Sequence, residues 1–358
     1  MKVAFITRST LFSVPGGDSI QVLQTAEHLR KQGITVDILL TNEKIDHDNY
    51  DLFHFFNITR PADILLHTSK IKNPYFISPL LVDYSEYDKL LRKGFSGFIL
   101  KNFSTFANEY IKTIARWITG KDKLQSKRYI WKGQKKSMKE ILQKCAAVLP
   151  NSAAEELALK KIFLSDKPSF IISNGIDTSL FKVDNTMEKD VKLVLCAARI
   201  EGIKNQLNLI RALNNTNYTL VLIGAAAPNQ KKYYEACRKA AAANIIFKDH
   251  MPQEMLIDHY KKAKVHVLPS WFETCGLSSL EAAAMGCNIV ITDKGYTRDY
   301  FGNDAFYCNP ADPSSILNAI EAASHSSSNE NLRRRIQEQY TWQHAAAATL
   351  NVYKKFIS

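Results

Sequence analysis

Two glutamates, Glu273 and Glu281, stand with seven residues between them in Phe272-Glu273-Thr274-Cys275-Gly276-Leu277-Ser278-Ser279-Leu280-Glu281-Ala282-Ala283-Ala284-Met285-Gly286-Cys287. An apolar run, Lys264–Ser270, precedes them and another, Asn288–Thr292, follows. Apolar run, turn, helical stretch and apolar run are the grammar of a strand-helix-strand unit. Gly276 and Leu277 fall where that helix begins, and a helix start offers backbone N–H groups to anionic oxygens. A carboxylate on each side of an anion site suits a nucleotide-sugar. The two acids can read hydroxyls on sugar and ribose, with a diphosphate between them.

The combination Ser270, Phe272-Glu273, Gly276-Leu277, Leu280-Glu281-Ala282 and Gly286 resembles the donor site of retaining glycosyltransferases of family four. That resemblance implies an α/β protein of GT-B fold, with two doubly wound Rossmann-like domains facing a central cleft and a C-terminal helix crossing back to the first domain. It implies that Glu281 accepts hydrogen bonds from the ribose, that Glu273 holds hydroxyls of the donor hexose, and that Gly276 and Leu277 donate N–H groups to the diphosphate. In Ala198-Arg199-Ile200-Glu201-Gly202-Ile203-Lys204-Asn205-Gln206 the spacing matches the family's diphosphate-clamping Arg and Lys, here Arg199 and Lys204. They follow the apolar run Leu193–Ala197 at its carboxyl end, where ligands bind in such sheets. Fixed cations there stabilise charge gathering on a departing nucleoside diphosphate. The sequence departs from the family pattern at Thr274, Cys275 and Ser278, and none of these changes removes a charged group.

Gly16 and Gly17, in Pro15-Gly16-Gly17-Asp18-Ser19, resemble the family's glycine-rich loop after the first strand. Without Cβ atoms they let backbone approach a phosphate or an acceptor closely. The spacing is not G-x-G-x-x-G, which argues against a dinucleotide-dependent oxidoreductase. Many relatives carry a histidine after the strand corresponding to Tyr75–Pro79, and here Ile77-Ser78-Pro79-Leu80-Leu81-Val82-Asp83-Tyr84-Ser85 has none. Asp83 and Tyr84 are the nearest polar replacements for a base, and His54 is the nearest histidine, although a lone strand histidine also reads as core. In the front-face mechanism proposed for retaining transferases no base is required, because the leaving phosphate oxygen takes the acceptor's proton. Asn57 and Arg60 end a strand and are candidate acceptor contacts.

These residues need elements to hold them. Strand and helix patterns alternate from Lys2 to about Ser173, pause at the turn-rich Asn174-Gly175-Ile176-Asp177, and restart at Lys192. The restart predicts two domains: an acceptor-side domain over 1–170, joined by a crossing helix at about 342–358, and a donor-binding domain over 171–341. The first helix, ending near Gln32, carries Val22, Leu23, Ala26 and Leu29 on one face, and Gly33 closes it. The C-terminal Tyr340-Thr341-Trp342-Gln343-His344 and Val352-Tyr353 also resemble the family's returning helix. The resemblance runs from Val3 to about Phe356 and is thin between Asp83 and Lys144.

The 358 residues are 46% hydrophobic and 23% charged, as in a folded protein of two ordinary domains. No apolar run reaches the roughly 18 residues of a membrane-spanning helix, and no small-residue cleavage site follows the first strand, so a signal peptide is not expected. Six scattered cysteines (Cys145, Cys196, Cys237, Cys275, Cys287, Cys308) predict buried, reduced thiols, no metal site and a cytoplasmic setting. The net charge of +12 is local: fifteen Lys/Arg face three acids between Lys89 and Lys144, and the rest of the chain balances. In that segment Phe95, Phe98, Ile99, Leu100, Phe103, Phe106, Tyr110, Ile111, Ile114, Trp117 and Ile118 recur near helical spacing among lysines. A basic amphipathic helix pair can lie on an anionic membrane, or its stripe can pack on its own domain. Nothing matches a nucleic-acid module.

The expected function is a metal-independent retaining hexosyltransferase without a cofactor. It would move sugar from a nucleotide diphosphate sugar to a glycan or lipid-linked glycan in cell-surface polysaccharide or glycoconjugate synthesis, peripheral at the inner membrane face. Two rivals share the architecture: a sugar-nucleotide epimerase or phosphorylase, and a catalytically silent scaffold subunit.

Overall fold

Short apolar runs rich in Val, Ile, Leu and Phe, separated by helices, make strands that must be covered on both faces, so they form parallel sheets. The computed structural model describes residues 1–91, 104–120, 122–182 and 188–357. They fold into two compact units, Met1–Ser173 with Trp342–Ser358, and Asn174–Thr341.

In the first unit β1 (Lys2–Thr7), β2 (Thr35–Leu40), β3 (Leu52–Phe56), β4 (Tyr75–Ser78) and β5 (Ala147–Val148) form an all-parallel sheet in the order β2-β1-β3-β4-β5. Its helices are α1 (Gly17–Lys31), α2 (Pro61–Thr68), α3 (Ser85–Leu91), α4 (Thr105–Ile118), α5 (Arg128–Lys144) and α6 (Ala153–Phe163). On α1, Val22, Ala26 and Leu29 are buried as the periodicity predicts, whereas Leu23 is exposed and Gln21 and Thr25 take its place inside. The Gln21 amide donates to Asn151 Oδ1 at 3.0 Å, which satisfies the buried polar group.

The basic segment divides. Phe95, Phe98, Ile99, Leu100 and Phe103 lie outside the described residues. Met138, Ile141 and Leu142 of α5 join the core beneath the sheet, and Phe106 of α4 packs against it, edge-on to Phe163. Trp117, Ile118 and Trp131 face outward.

The second unit holds β6 (Asp190–Ala197), β7 (Thr219–Ile223), β8 (Ile245–Lys248), β9 (Ala263–Leu268), β10 (Asn288–Thr292) and β11 (Phe306–Cys308). They form a parallel sheet in the order β11-β10-β9-β6-β7-β8. Its helices are α7 (Gln206–Leu213), α8 (Lys231–Ala240), α9 (Gln253–Lys262), α10 (Leu277–Ala284), α11 (Thr297–Phe301), α12 (Pro313–His325) and α13 (Glu330–Gln339). The chain winds outward from β6 to β8, then returns to lay β9 on the other side of β6. Strand order therefore reverses between β6 and β9, the position at which doubly wound sheets open a crevice at their carboxyl ends.

The last helix, α14 (Trp342–Lys354), belongs to the first unit, where it packs on α1. All six cysteines are buried free thiols. Among the described residues no helix is long and apolar enough to cross a membrane, and no cluster of three or more His, Cys, Asp or Glu could hold a metal ion.

Candidate active site

At the β6/β9 reversal the loop after β6 is tied by hydrogen bonds to the loops after β9 and β11. Trp271 N–H donates to Ile203 O at 2.8 Å, and the Asn205 amide donates to Pro269 O at 3.1 Å and Pro310 O at 2.7 Å. Asn205 sits in the left-handed region at φ 59°, which an asparagine tolerates better than most residues. This stitching lets Lys204, from the loop after β6, reach Glu273, from the loop after β9: Nζ to Oε2 is 2.7 Å across 69 residues of sequence. Ser270 Oγ donates to the same carboxylate oxygen at 3.0 Å. Burial disfavours the Lys204 ammonium, but the adjacent Glu273 carboxylate outweighs it and holds the lysine pKa above the ordinary range. A fixed cation results at the carboxyl end of β6.

Arg199 leaves the same loop and pairs with Glu201 at 2.9 Å while its side chain stays 40% exposed. Its backbone is anchored by the Gln206 amide, which donates to Arg199 O at 2.8 Å. Both cations of the candidate clamp are thus already beside carboxylates.

Glu273 is also fixed through its main chain. Its N–H donates to Lys294 O at 3.2 Å, and Tyr296 N–H donates to its carbonyl at 2.9 Å, so a third loop, after β10, locks it in place. Gly295 makes that approach possible: at φ +97°, a Cβ there would lie 2.1 Å from Glu273 O. Gly224, after β7, is similarly forced, because its Cβ would lie 2.0 Å from Ala198 O beside Arg199. Gly276, at φ +68°, turns the chain into α10, and Leu277 is the first helical residue. Serine 279 and Leu280 N–H groups return to Gly276 O, which leaves the leading N–H groups of α10 directed out of the helix start.

Glu281 lies one helical turn further along α10 and is 6% exposed. It does not touch Lys204 or Glu273. Its carboxylate accepts from Gln253 Nε2 at 2.5 Å and from the wholly buried Tyr260 hydroxyl at 2.9 Å. Burial pushes its pKa up to about 7, against the opposing pull of those two donors. Gln253 and Tyr260, both on α9, carry no sequence signal by themselves. Gly295 and Gly224 were legible only as glycines following apolar runs.

In the first unit Gly16 precedes α1 with extended backbone, its N–H donating to Ser19 Oγ at 3.2 Å, and Gly17 opens the helix. Arg8, at the carboxyl end of β1, binds the loop around them: its guanidinium donates to Asp18 at 2.6 and 3.0 Å, to Thr10 O at 2.8 Å and to Val14 O at 2.8 Å. The order β2-β1-β3 reverses at β1/β3, and a small cleft opens there, lined by Thr7, Arg8, Thr41, Phe56, Arg60 and Asp63 among others. Arg60 is held by Asp63 at 2.8 Å and Asp122 at 3.1 Å. Asn57, at φ 69°, spends its side-chain oxygen on Thr59 and does not line the cleft.

His54 is no base. It is buried, accepts or donates at 2.5 Å with Tyr353 Oη and 2.9 Å with Ser78 Oγ, and burial drives its pKa down to about 3. Asp83 is exposed and accepts from Ser85 N–H at 2.8 Å as a turn former, and the Tyr84 ring lies 5.8 Å from the Lys112 ammonium.

Residues 177–341, nearly the whole second unit, match the family model described as glycosyl transferases group 1. Over its full length the chain is 22% identical to an uncharacterized glycosyltransferase of Methanocaldococcus jannaschii, covering 99% of this chain and 98% of that protein. Among solved structures it is similar to sucrose-phosphate synthase from Thermosynechococcus elongatus, with a TM-score of 0.76, 16% identity and 99% of both chains covered. It is also similar to Anabaena HepE in complex with UDP and glucose, with a TM-score of 0.71, 15% identity and 99% of both chains covered. At such identities these two likenesses show the fold, an α/β architecture of two parallel sheets shared with GT-B glycosyltransferases. The family match covers the second unit, and the full-length similarity is to a glycosyltransferase.

Proposed function

We propose that the chain is a retaining, metal-independent transferase that moves a hexose-type sugar from a nucleoside diphosphate donor to a glycan or lipid-linked glycan, in the synthesis of cell-surface polysaccharide or glycoconjugates. The observation that carries this reading is the Lys204–Glu273 contact across the β6/β9 reversal, between the Arg199 loop and the start of α10. The diphosphate lies between the α10 N-terminus and the two cations. Glu273 accepts from hexose hydroxyls and Glu281 from the ribose. A carboxylate at each place discriminates well, because a missing hydroxyl leaves a desolvated acceptor unpaired.

As the bond between anomeric carbon and phosphate oxygen breaks, negative charge grows on the leaving diphosphate, and Arg199 and Lys204 stabilise it in place of a metal ion. The acceptor oxygen bonds to the same face of the anomeric carbon, and its proton passes to the leaving phosphate oxygen. The burial of His54 supports a route without a protein base. The acceptor binds the first unit, at the carboxyl ends of β1 and β3 beside Arg8 and Arg60.

A thermal-shift screen against nucleoside diphosphates and their sugar conjugates identifies the donor, since a ligand of the folded state raises the melting temperature with its affinity. With that donor, Glu281→Ala and Lys204→Ala are expected to abolish transfer and leave the melting curve of the free protein recognisable. Near-wild-type turnover in either variant overturns the site, and a product of inverted anomeric configuration overturns retention.

A further inference from the structure

We propose that Glu201 discriminates product from donor: its carboxylate opposes the extra negative charge of the freed nucleoside diphosphate and speeds its release. This rests on the reading of Arg199 and Lys204 as the diphosphate clamp, and it gives a role to the carboxylate that stands beside them. Local backbone puts it there. Ile200 is buried, and its main chain is pinned to the loop after β7: its N–H donates to Ala225 O at 2.9 Å and its carbonyl accepts from Ala227 N–H at 3.1 Å. Glu201 continues the chain with extended backbone. Alternate residues of an extended chain point to the same side. With Ile200 turned into the core, Arg199 and Glu201 share the outer face, where Arg199 Nη2 lies 2.9 Å from Glu201 Oε1.

The Glu201 side chain does not cap the helical turn Gly202–Lys204 that follows it; only its carbonyl is used there, accepting from Lys204 N–H at 2.9 Å. Among the described residues its carboxylate has Arg199 as its one hydrogen-bond partner, although the side chain is only 15% exposed. Lys204 feels the same charge. Burial works against its ammonium, Glu273 and then Glu201 favour it, and Arg199 opposes it. Two cations and two carboxylates leave the clamp neutral by itself.

Donor and product differ in charge at this place. In the sugar conjugate each phosphate carries a single negative charge. Once the anomeric bond breaks, the terminal phosphate is a monoester whose second proton leaves near pH ~6, so above neutrality it carries about one more charge. Arg199 and Lys204 hold either form. Glu201 shares the face of Arg199 and opposes the added charge, and charges a few ångströms apart near a protein surface interact strongly enough to shift affinity several-fold. Glutamine keeps an oxygen for Arg199 and removes only the charge, so Glu201→Gln separates repulsion from orientation of the guanidinium.

The full chain is titrated calorimetrically with UDP and with UDP-glucose as probes, about one pH unit above neutrality, where the added charge is present. Glu201→Gln should bind UDP about fivefold tighter and UDP-glucose less than about twofold tighter, and stopped-flow displacement should show slower release of UDP. An unchanged melting curve of the ligand-free variant confirms its fold. Arg199→Ala and Lys204→Ala should weaken both probes on the order of tenfold. If neither of those two substitutions changes either affinity, the clamp is misplaced and the role of Glu201 goes with it. If they weaken binding while Glu201→Gln leaves the ratio of UDP to UDP-glucose affinity unchanged, the role of Glu201 alone is overturned. Equal weakening of both probes in Glu201→Gln overturns it too, since loss of a contact that merely orients Arg199 gives that result.

Discussion

Glu281 carries a testable signature because its carboxyl titrates near neutrality, pushed up to about 7 by burial. Ribose hydroxyls donate to the ionised form, so binding favours loss of the proton. With UDP as probe, affinity should therefore rise with pH through about 7 and level off above it, falling on the order of tenfold for each pH unit below. The difference between wild type and Glu281→Gln removes the titration of the probe's own phosphate. Tyr260→Phe deletes a donor that favours the carboxylate, so the midpoint should move upward and affinity at neutral pH should fall several-fold; an unmoved midpoint, read by calorimetric titration, means Tyr260 does not set this group. At Gly295 the constraint is steric. Alanine would press on Glu273 O and strain a positive φ, and we expect a loss of roughly 2–4 kcal/mol in denaturant unfolding together with loss of the nucleotide-induced thermal shift.

At the scale of elements, α6 is started by Ser152, whose hydroxyl accepts from Glu155 N–H at 3.1 Å. The Glu155 carboxylate reaches back to Asn151 N–H and across to Leu81 N–H, both at 2.6 Å, joining the end of β5 to the loop after β4. Burial raises this carboxyl to about 7, against those two hydrogen bonds. A raised carboxyl binds its proton more tightly in the folded state. Its contribution is full below about pH 4.5 and is lost as pH rises through about 7, a change of about 3 kcal/mol. Glu155→Gln should flatten that part of the stability profile while lowering stability overall, because the amide meets one N–H with another donor. Guanidinium unfolding on either side of this pH window measures both effects. The strands and helices flanking this junction read clearly from the alternation of apolar runs. The Glu155 bridge did not, since Leu81 and Asn151 meet only once β4 and β5 are paired.

Across the whole molecule, the chain leaves the first unit after Ser173 and re-enters it at Trp342. Tyr353 on α14 is wholly buried there, against His54 and 4.9 Å from the Phe76 ring. Tyr353→Ala should open a cavity and strip His54 of a partner, at a cost of about 3–5 kcal/mol. The loss should fall on the first unit alone. Two-transition melting with UDP present should show the nucleotide-stabilised transition unchanged, and a loss of that stabilisation would tie the two units together energetically.

The sequence by itself determined the alternating parallel-sheet pattern, the strand-turn-helix holding Glu273, Gly276, Leu277 and Glu281, and the loop carrying Arg199 and Lys204. Local periodicity and turn chemistry write those features within a few residues of one another. Only the tertiary structure decided that Lys204 meets Glu273, that Gln253 and Tyr260 hold Glu281 apart from that pair, and that His54 is a core residue held by Tyr353. It likewise decided which of the described apolar residues of the basic segment are core and which are surface. These depend on β6 lying beside β9, on α14 returning to α1, or on α5 packing beneath the first sheet, and adjacency between distant segments is set by how each core packs.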